Sequence, residues 1–522
     1  MSPSTALPCS SLTLPDPTME PGLTELLLSN VPPRPSQISM VLAKLKDTED
    51  DLSLLDEQID AIQCAMNELL TRRDALREKS ARYKSVVSPI RILPNEILSE
   101  IFMHCASQDE GLCLWKSTSS VCKRWRHVTL YTPRLWSFLD LTASHYHMRM
   151  PSNIPIVQAV TEHLIRSGNC PLSIKYDSRI YEDYLGLERT PSLLELLARF
   201  SYRWQDISLH IGRVPNRFNG LRGKLPSLRR LTLGGAGLPE IREVFAVAPL
   251  LRHLELDAAY GIPPALSLPW SQITHCIVIN CQINITLDIL RRVSNAVDFT
   301  ADRIADVFDI DGFTPIFSPV HSLETINSAE LLGRLTTPQL KNLTIRDERW
   351  NILADQAEAL INRSSCSLTR LTLHNVRLSD VQFIRLLKLT PDLRELDLLS
   401  SGILFITDDF IDALTPTVAD SPCLATKLES LSITILSTNS DKPDYPNSAL
   451  VLNMIARRRE DHNSCVALST VRLVFPRDVH PNDHARAARL RRGGLNLSLE
   501  ARYPWFGLGS AGSWQDDDVE YL

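Results

Sequence analysis

The sequence predicts an α/β protein with three consecutive parts: a long N-terminal helix, a three-helix domain, and a solenoid of short parallel strands with outer helices. Three observations lead to this prediction. Apolar residues recur at alternating steps of three and four between residues 38 and 83. Short apolar stripes lie close together between Pro89 and Trp136, and a motif L-x-x-L-x-L recurs through residues 150–500. The first two patterns are typical of helices, and the alternation on L-x-L is typical of strands buried on one side.

The two ends of the chain are predicted to be tails. Residues 1–36 are rich in proline, serine and threonine. Proline removes a backbone donor and restricts the residue before it, so a packed element is disfavoured there. A segment of this composition is typical of disorder. We expect residues 501–522 to form the second tail.

Residues 37–85 are predicted to form one helix with a coiled-coil seam. Apolar side chains occupy successive a and d positions, with Arg73 at the one missing step: Leu52, Leu55, Ile59, Ile62, Met66, Leu69 and Leu76. Propensity alone does not hold so long a helix in water, so its apolar face needs a partner. A homodimer through residues 38–83, another segment of the chain and a different protein each satisfy this need. The alternative is a solvated single helix.

Residues 88–140 are predicted to form the three-helix domain. Pro94 suits the first position of a helix, where its missing N–H has no partner to lose. One apolar stripe then follows on the first helix: Ile97, Leu98, Ile101, Phe102 and Cys105. The second helix is predicted to carry Val121, Cys122, Trp125 and Val128, and a third helical turn Leu135 and Trp136. So small a core gains stability by burying its remaining apolar face against another surface.

This stretch resembles the F-box. Leu93-Pro94-x-Glu96-Ile97-Leu98-x-x-Ile101-Phe102 is similar to the family's first helix, and Val121-Cys122-Lys123-Arg124-Trp125 to its second conserved block. The flanking Pro89-Ile90-Arg91 and Pro133-x-Leu135-Trp136 resemble the F-box family of mushroom-forming fungi. The resemblance implies docking on a Skp-type adaptor, and through it on a cullin-based ubiquitin ligase. The residues implied in docking are Leu93, Pro94, Glu96, Ile97, Leu98, Ile101, Phe102, Val121, Cys122 and Trp125. The alternative is that these are ordinary core residues of a helical hairpin.

The rest of the chain, residues 150–500, contains an unevenly spaced repeat. Copies start at Leu228, Leu251, Leu340, Leu368, Leu393, Leu428 and Leu468, with a looser copy at Ile273 and Trp204-x-x-Ile207-x-Leu209 as the first copy. Apart from the longer step between Ile273 and Leu340, neighbouring copies start 22 to 40 residues apart. Helical patterns lie between copies at residues 240–247, 355–362 and 380–389. Each strand–helix unit cannot bury its apolar side alone, so the units are expected to stack.

The repeat resembles leucine-rich repeats of the irregular kind often found behind an F-box, and the shorter spacings match that repeat's period. It departs from the motif in one respect. The Asn or Cys expected three residues after the last strand leucine is matched only by Cys281. The resemblance implies a substrate-recognition domain. The alternative is an unrelated α/β domain with L-x-L strands.

Composition argues against several classes of protein. The net charge of −6 gives no global basic field for nucleic acid. The 11 cysteines are scattered and are typical of a reducing compartment. No apolar run reaches the roughly 18 residues of a membrane span, and the N-terminus lacks the pattern of a secretory signal. We therefore expect a cytoplasmic and/or nuclear protein that binds neither nucleic acid nor membrane.

Motifs for catalysis are missing from the sequence, which predicts no enzyme, no cofactor and no metal. G-x-x-x-x-G-K-[ST], H-E-x-x-H and G-x-S-x-G do not occur. The spacing of the candidate zinc ligands does not fit a structural zinc site; they are His104, Cys105, Cys113, Cys122 and His127. The basic run Arg457–Arg459 suits nuclear import or an acidic partner.

The predicted function is a non-enzymatic F-box substrate adaptor that presents an unidentified target protein through its repeat domain. The alternative is a ligase-independent coiled-coil scaffold.

Overall fold

A computed structural model describes most of the chain between residues 32 and 501. The described ranges are 32–108, 114–142, 156–177, 190–212, 218–236, 238–259, 261–262, 266–305, 315–347, 353–376, 378–400, 407–416, 423–436, 447–460, 465–476 and 479–501. Nearly all of the two predicted tails therefore lies outside the described residues. The chain divides into two compact units, one ending at Pro94 and the other beginning at Asn95.

The first unit contains the predicted long helix. Helix α1 runs without interruption over Pro35–Val86, with Pro35 in its first turn, and none of its 52 residues is buried. The Arg34 backbone N–H donates to the Gln37 side-chain oxygen at 2.9 Å, which fixes the start of the helix. At 1.5 Å per residue the helix is about 78 Å long. The helix is confirmed, and its pairing in a coiled coil stays a prediction.

The second unit contains the remaining elements. Its α-helices are α2 Asn95–Gln108, α3 Leu114–Val121, α4 Lys123–Tyr131, α5 Ile156–Arg166, α6 Thr190–Ala198, α7 Ile283–Arg292, α8 Leu353–Ser364, α9 Asp380–Lys388, α10 Asp408–Leu414, α11 Ser448–Glu460 and α12 Pro481–Arg492. Its strands are β1 Phe138–Leu141, β2 Leu172–Asp177, β3 Trp204–His210, β4 Arg230–Gly234, β5 His253–Asp257, β6 His275–Ile279, β7 Asp298–Asp302, β8 Ile316–Phe317, β9 Ser322–Ile326, β10 Leu335–Thr336, β11 Asn342–Arg346, β12 Arg370–His374, β13 Glu395–Ser400, β14 Ser430–Ile435, β15 Thr470–Phe475 and β16 Asn496–Ala501.

Fourteen of these strands form one sheet in chain order, with β8 and β10 paired separately. Every pair in the large sheet is parallel. The two apolar positions of each motif form continuous buried ladders; for example, Leu343 pairs with Leu371, and Leu371 with Leu396. The predicted parallel sheet is confirmed. The exact type of repeat stays a prediction.

The sheet has more strands than the motif predicts. Strand β3 is not the first, because β1 and β2 precede it. Strand β1 begins at Phe138, inside the predicted F-box and ahead of the predicted repeat region. Strands β7 and β9 were missed because their second buried positions are Ala301 and Thr325, which a search for leucine does not detect.

The connections between strands are helical, but not all are α-helices. The predicted helices at 355–362 and 380–389 correspond to α8 and α9. The predicted helix at 240–247 is wrong: a 3₁₀ helix covers Leu238–Ile241 there, and turns follow it. The buried side chains there are Leu238, Ile241, Val244, Phe245 and Ala248, a spacing that α-helical and 3₁₀ turns both allow, so the apolar pattern did not distinguish between them.

A turn of one kind follows several strands. Asn280, Asn327 and Asn375 come directly after β6, β9 and β12, and each has a φ between 49° and 56°. Asparagine tolerates this left-handed region better than most residues. After β4, Gly235 has a φ of 95°, and a Cβ there would lie 2.4 Å from the Ile211 carbonyl oxygen. In the three asparagine turns, the residue with positive φ lies two positions after the last buried residue of its strand.

The basic run Arg457–Arg459 is divided between core and surface. Arg457 is exposed, whereas Arg458 is fully buried. Arg458 donates to the carbonyl oxygens of Leu414 at 2.9 Å and Ala425 at 2.6 Å. Arg459 donates to the Leu468 carbonyl oxygen at 2.6 Å. The prediction that this run serves nuclear import or an acidic partner is wrong for Arg458, because its charge is inside the fold.

Candidate functional site

The predicted docking residues of the second unit lie on α2, at the end of α3, at Cys122 between α3 and α4, and on α4. Helix α2 begins at Asn95, so Pro94 directly precedes it. The predicted single helix through Val121 and Trp125 is two helices, α3 and α4, which break at Cys122. The Cys122 sulfur accepts a hydrogen bond from the Trp125 backbone N–H at 3.4 Å, so this cysteine caps α4.

Helix α2 has two apolar faces with different environments. Leu98 is completely buried and Phe102 is 2% exposed. Phe102 packs on Trp125 with ring centroids 4.9 Å apart. Ile97 and Ile101 lie one turn apart on another face, and they are 47% and 37% exposed. The stripe seen in the sequence therefore combines core residues with residues that remain open.

The other predicted docking residues are at least partly accessible. Pro94, Glu96 and Cys122 are exposed, and Leu93 is half-buried. Val121, at the end of α3, is 60% exposed. Of the ten predicted site residues, only Leu98 and Phe102 are buried, so the sequence identified the region but not the division between core and surface.

Polar side chains tie the helices of this domain together. The Arg124 Nε donates to the Asn95 side-chain oxygen at 2.9 Å, which links the starts of α4 and α2. The Arg126 Nε donates to the Ser119 carbonyl oxygen at 2.9 Å, which links α4 to α3. These bonds hold the exposed face of α2 on a fixed scaffold, which reduces the entropy lost on binding a partner.

The end of this domain is joined directly to the sheet. Trp136 is buried, and its indole N–H donates to the Thr129 carbonyl oxygen at 2.8 Å. The Trp136 ring meets His163 of α5 edge-on at 5.0 Å. The Nε2 atom of His163 lies 3.1 Å from the Phe138 carbonyl oxygen on β1. Burial lowers the pKa of His163 to about 4. This histidine is therefore neutral in the folded protein near neutral pH.

Sequence reasoning missed this junction, although a signal for it exists. Trp136-x-x-Leu139-x-Leu141 has the spacing of the repeat motif, and Leu139 and Leu141 are completely buried. The first repeat strand therefore follows the 3₁₀ helix Pro133–Trp136 with one residue, Ser137, between them.

The described part of this domain offers exposed apolar side chains for contact with a partner. Across the described ranges, no three His, Cys, Asp or Glu side chains lie close enough to hold a metal ion. Cys113, one of the residues considered for zinc, lies outside those ranges. Burial raises the pKa of Cys276 to about 12, so that thiol stays protonated. None of the helices in the described part of the chain has both the length and the hydropathy to cross a bilayer.

Comparison with known proteins locates one domain. No curated protein matches the sequence. Residues 90–142 match the F-box-like family. The match begins just before α2 and ends just after β1, so it includes the 3₁₀ helix Pro133–Trp136 and the first strand of the sheet. The chain therefore contains an F-box-like domain, and the exposed residues Ile97 and Ile101 of α2 lie within the matched range.

Proposed function

We propose that this protein is a non-enzymatic adaptor that docks on a Skp-type adaptor of a cullin-based ubiquitin ligase. One observation carries the proposal: Ile97 and Ile101 are open on α2 of an F-box-like domain, while the neighbouring Leu98 and Phe102 fill its core. Two isoleucines on one face of a supported helix favour burial against a partner, because each contributes about 1.5–3 kcal/mol when fully removed from water.

The ten predicted docking residues have different roles in this proposal. Ile97, Ile101 and Val121 are assigned to contact with the adaptor because they are open. Leu98, Phe102 and Trp125 are assigned to support, because Leu98 and Phe102 are buried and Phe102 packs on Trp125. Leu93, Pro94, Glu96 and Cys122 keep a contact role on the strength of the family pattern.

The parallel sheet is proposed to hold the target protein. Its exposed side is a ladder of polar and charged side chains, which cross-strand pairs hold in place. Examples are the ion pairs Arg346–Glu324 at 2.9 Å and Arg370–Glu395 at 2.6 Å. A target bound there is kept near the ligase, and tethering of this kind raises its effective concentration without chemistry in this chain. Leucine-rich-repeat character, which is often associated with such a role, is part of the proposal.

The docking claim is tested by measuring the affinity of the full chain for a purified Skp-type adaptor. Ile97→Asp and Ile101→Asp are each expected to weaken binding by about 30-fold, because each removes about 1 kcal/mol of remaining apolar contact and places an unpaired carboxylate in the interface at a cost of about 1 kcal/mol or more. Val381→Asp is the matched control: Val381 is 68% exposed on α9, outside the F-box-like domain. Leu98→Asp is unsuitable, because a charge at a fully buried position unfolds the domain.

The outcome distinguishes adaptor docking from the alternative function, a ligase-independent scaffold. Equal affinity of wild type and both isoleucine variants, all with wild-type melting temperatures, would exclude docking through this face of α2. If wild type binds no adaptor while its repeat domain still captures a target, the ligase-independent scaffold is correct. That rival draws support from the exposed apolar seam of α1.

A further inference from the structure

Helix α1 exposes a long apolar seam. The a and d positions of its heptads carry apolar residues from Ile38 to Leu76, except at Thr48 and Arg73, and these are exposed or half-buried along the whole helix. Ile62 is 63% exposed and Leu69 57%. Isolated helices gain little from propensity in water, and most helical stability comes from packing of the apolar face. The question is which surface covers this seam.

The two halves of α1 carry opposite charge. Residues 47–60 contain seven acidic residues and no basic one. Residues 71–84 contain six basic and two acidic residues. The helix dipole favours this order only within the first and last turns, and Asp47 lies three turns inside the helix. The charge separation therefore calls for another explanation.

We infer that α1 pairs with α1 of a second copy of this chain in an antiparallel coiled coil. Charge complementarity between the halves supports this occupant. In an antiparallel pair e positions face e positions and g positions face g positions. With Leu52 opposite Leu76 of the second copy, Glu49 faces Arg77 and Asp51 faces Lys79. Each pair occurs twice by symmetry, and no like charges meet at the e and g positions.

The parallel arrangement of the same helices is disfavoured. There each g position faces the e position five residues later on the second helix. Asp51 then faces Asp56, Arg72 faces Arg77, and Lys79 faces Lys84; Lys44 with Glu49 is the one attractive pair. Like charges at these positions destabilise a coiled coil, and negative design of this kind selects orientation.

The residues at the a and d positions also favour the antiparallel arrangement. In a parallel dimer the two Arg73 side chains meet at the same a layer, and their charges repel. In the antiparallel register Arg73 lies opposite Leu55, beside Asp56 of the second copy, so its charge has a partner at the edge of the seam. The layers run from the pair Leu45–Tyr83 to the pair Ile62–Met66. Apart from the Arg73 layer, all of them pair two apolar residues except the one in which Thr48 meets Ser80.

Existing ion pairs on α1 do not oppose this arrangement. Arg77 lies 3.6 Å from Asp74 on its own helix, and its side chain is 71% exposed. An exposed pair of this kind contributes little to stability, so Arg77 can turn towards Glu49 of the second copy at small cost.

The experiment measures the mass of the full chain in solution and its dissociation constant by analytical ultracentrifugation. Wild type is expected at twice 58.7 kDa. Arg77→Glu with Lys79→Glu places like charges in four positions of the antiparallel pair. The dimer dissociation constant is expected to rise about a hundredfold, from four reversed pairs of about 0.5–1 kcal/mol each. Glu49→Lys with Asp51→Lys is expected to weaken the dimer in the same way.

Mixing the two charge-reversed proteins identifies the orientation. All four charge-reversed e and g contacts become attractive again in an antiparallel mixed dimer, so the mixture is expected to recover the dimer mass. Arg82→Glu is the matched control, because Arg82 has the same charge but lies at a c position outside the seam. None of the eight tryptophans is in α1, so their fluorescence checks independently that the second unit is folded.

Each alternative result overturns the inference. A monomeric wild type at micromolar concentration excludes the second copy as the occupant of the seam. A parallel dimer is indicated if Arg77→Glu with Lys79→Glu tightens the dimer, because the two introduced carboxylates then face Arg72 and Lys84 of the second copy. A dimer that none of the substitutions affects is formed elsewhere. None of these outcomes depends on adaptor docking, so the two proposals fail separately.

Discussion

The long helix α1 and the parallel sheet are both encoded by apolar periodicity, yet their apolar residues have opposite fates. In the sheet, Leu343 and Leu371 are completely buried, because each strand lies beside the next one in the chain. On α1, Leu69 and Ile62 are more than half exposed, and no residue of the helix is buried. A periodic pattern thus specifies an apolar face: in the sheet that face is buried within the same unit, whereas on α1 no described residue of the chain buries it.

Two arginines sharpen this comparison. Arg458 is fully buried and satisfies carbonyl oxygens of Leu414 and Ala425, whereas Arg73 lies on the open seam of α1. Arg458→Met is expected to lower the free energy of unfolding of the second unit by about 4 kcal/mol, because it leaves buried carbonyl groups without a donor. Arg73→Met is expected to leave that unfolding unchanged. Urea titration followed by tryptophan fluorescence measures both, and equal midpoints for the two variants would show that Arg458 is dispensable.

A pair of leucines tests the same contrast with apolar residues alone. Leu371→Ala removes a fully buried side chain from the sheet, which is expected to cost about 3 kcal/mol of unfolding free energy. Leu69→Ala, at a position 57% exposed on α1, is expected to leave the tryptophan-detected transition in place and to weaken the dimer instead. Calorimetry on the second unit's transition and sedimentation of the full chain separate the two effects. A loss of unfolding free energy from Leu69→Ala as large as that from Leu371→Ala would mean that Leu69 contributes to the core of the second unit as Leu371 does.

The sequence predicted the strongly periodic elements and missed strands that lack the second leucine. The long helix and the strands at L-x-x-L-x-L are where the pattern places them, because long periodic segments leave few alternatives. Strands β7 and β9 were missed where Ala301 and Thr325 take the place of leucine. A small or hydroxyl side chain fits the same buried ladder, so backbone pairing decides the strand there and leucine count does not.

At the candidate site, the sequence located the apolar stripe but not which way each of its residues faces. The stripe of α2 contains both Leu98, in the core, and Ile97, in the open, although the two are adjacent. Helical spacing shows which residues share a face and not what covers that face. The break at Cys122 was also unpredictable from spacing, because the residues on either side fit one helical stripe equally well. Adaptor docking, the target and the cellular compartment stay predictions.

The smallest expected effect is a pH dependence of the unfolding free energy that His163 gives to the second unit and not to α1. Burial lowers its pKa to about 4 in the folded protein, against 6.5 when unfolded, so the unfolded chain binds more protons between those values. The stabilising contribution of neutral His163 is complete above pH 6.5 and falls as the pH drops towards 4. Between pH 7 and pH 5 the second unit is expected to lose about 2 kcal/mol of unfolding free energy through this residue.

His163→Gln keeps a donor for the Phe138 carbonyl oxygen but does not titrate, so it is expected to lack this loss. The difference between wild type and variant at the two pH values, measured by urea unfolding, isolates the histidine from all other groups. Helix α1 contains no histidine, so its dimerisation is not expected to change over this range through imidazole protonation. If wild type and His163→Gln lose equal stability between pH 7 and pH 5, the junction between the F-box-like domain and the sheet does not hold its histidine neutral. The contact of His163 with Trp136 would then be looser than the 5.0 Å ring geometry indicates.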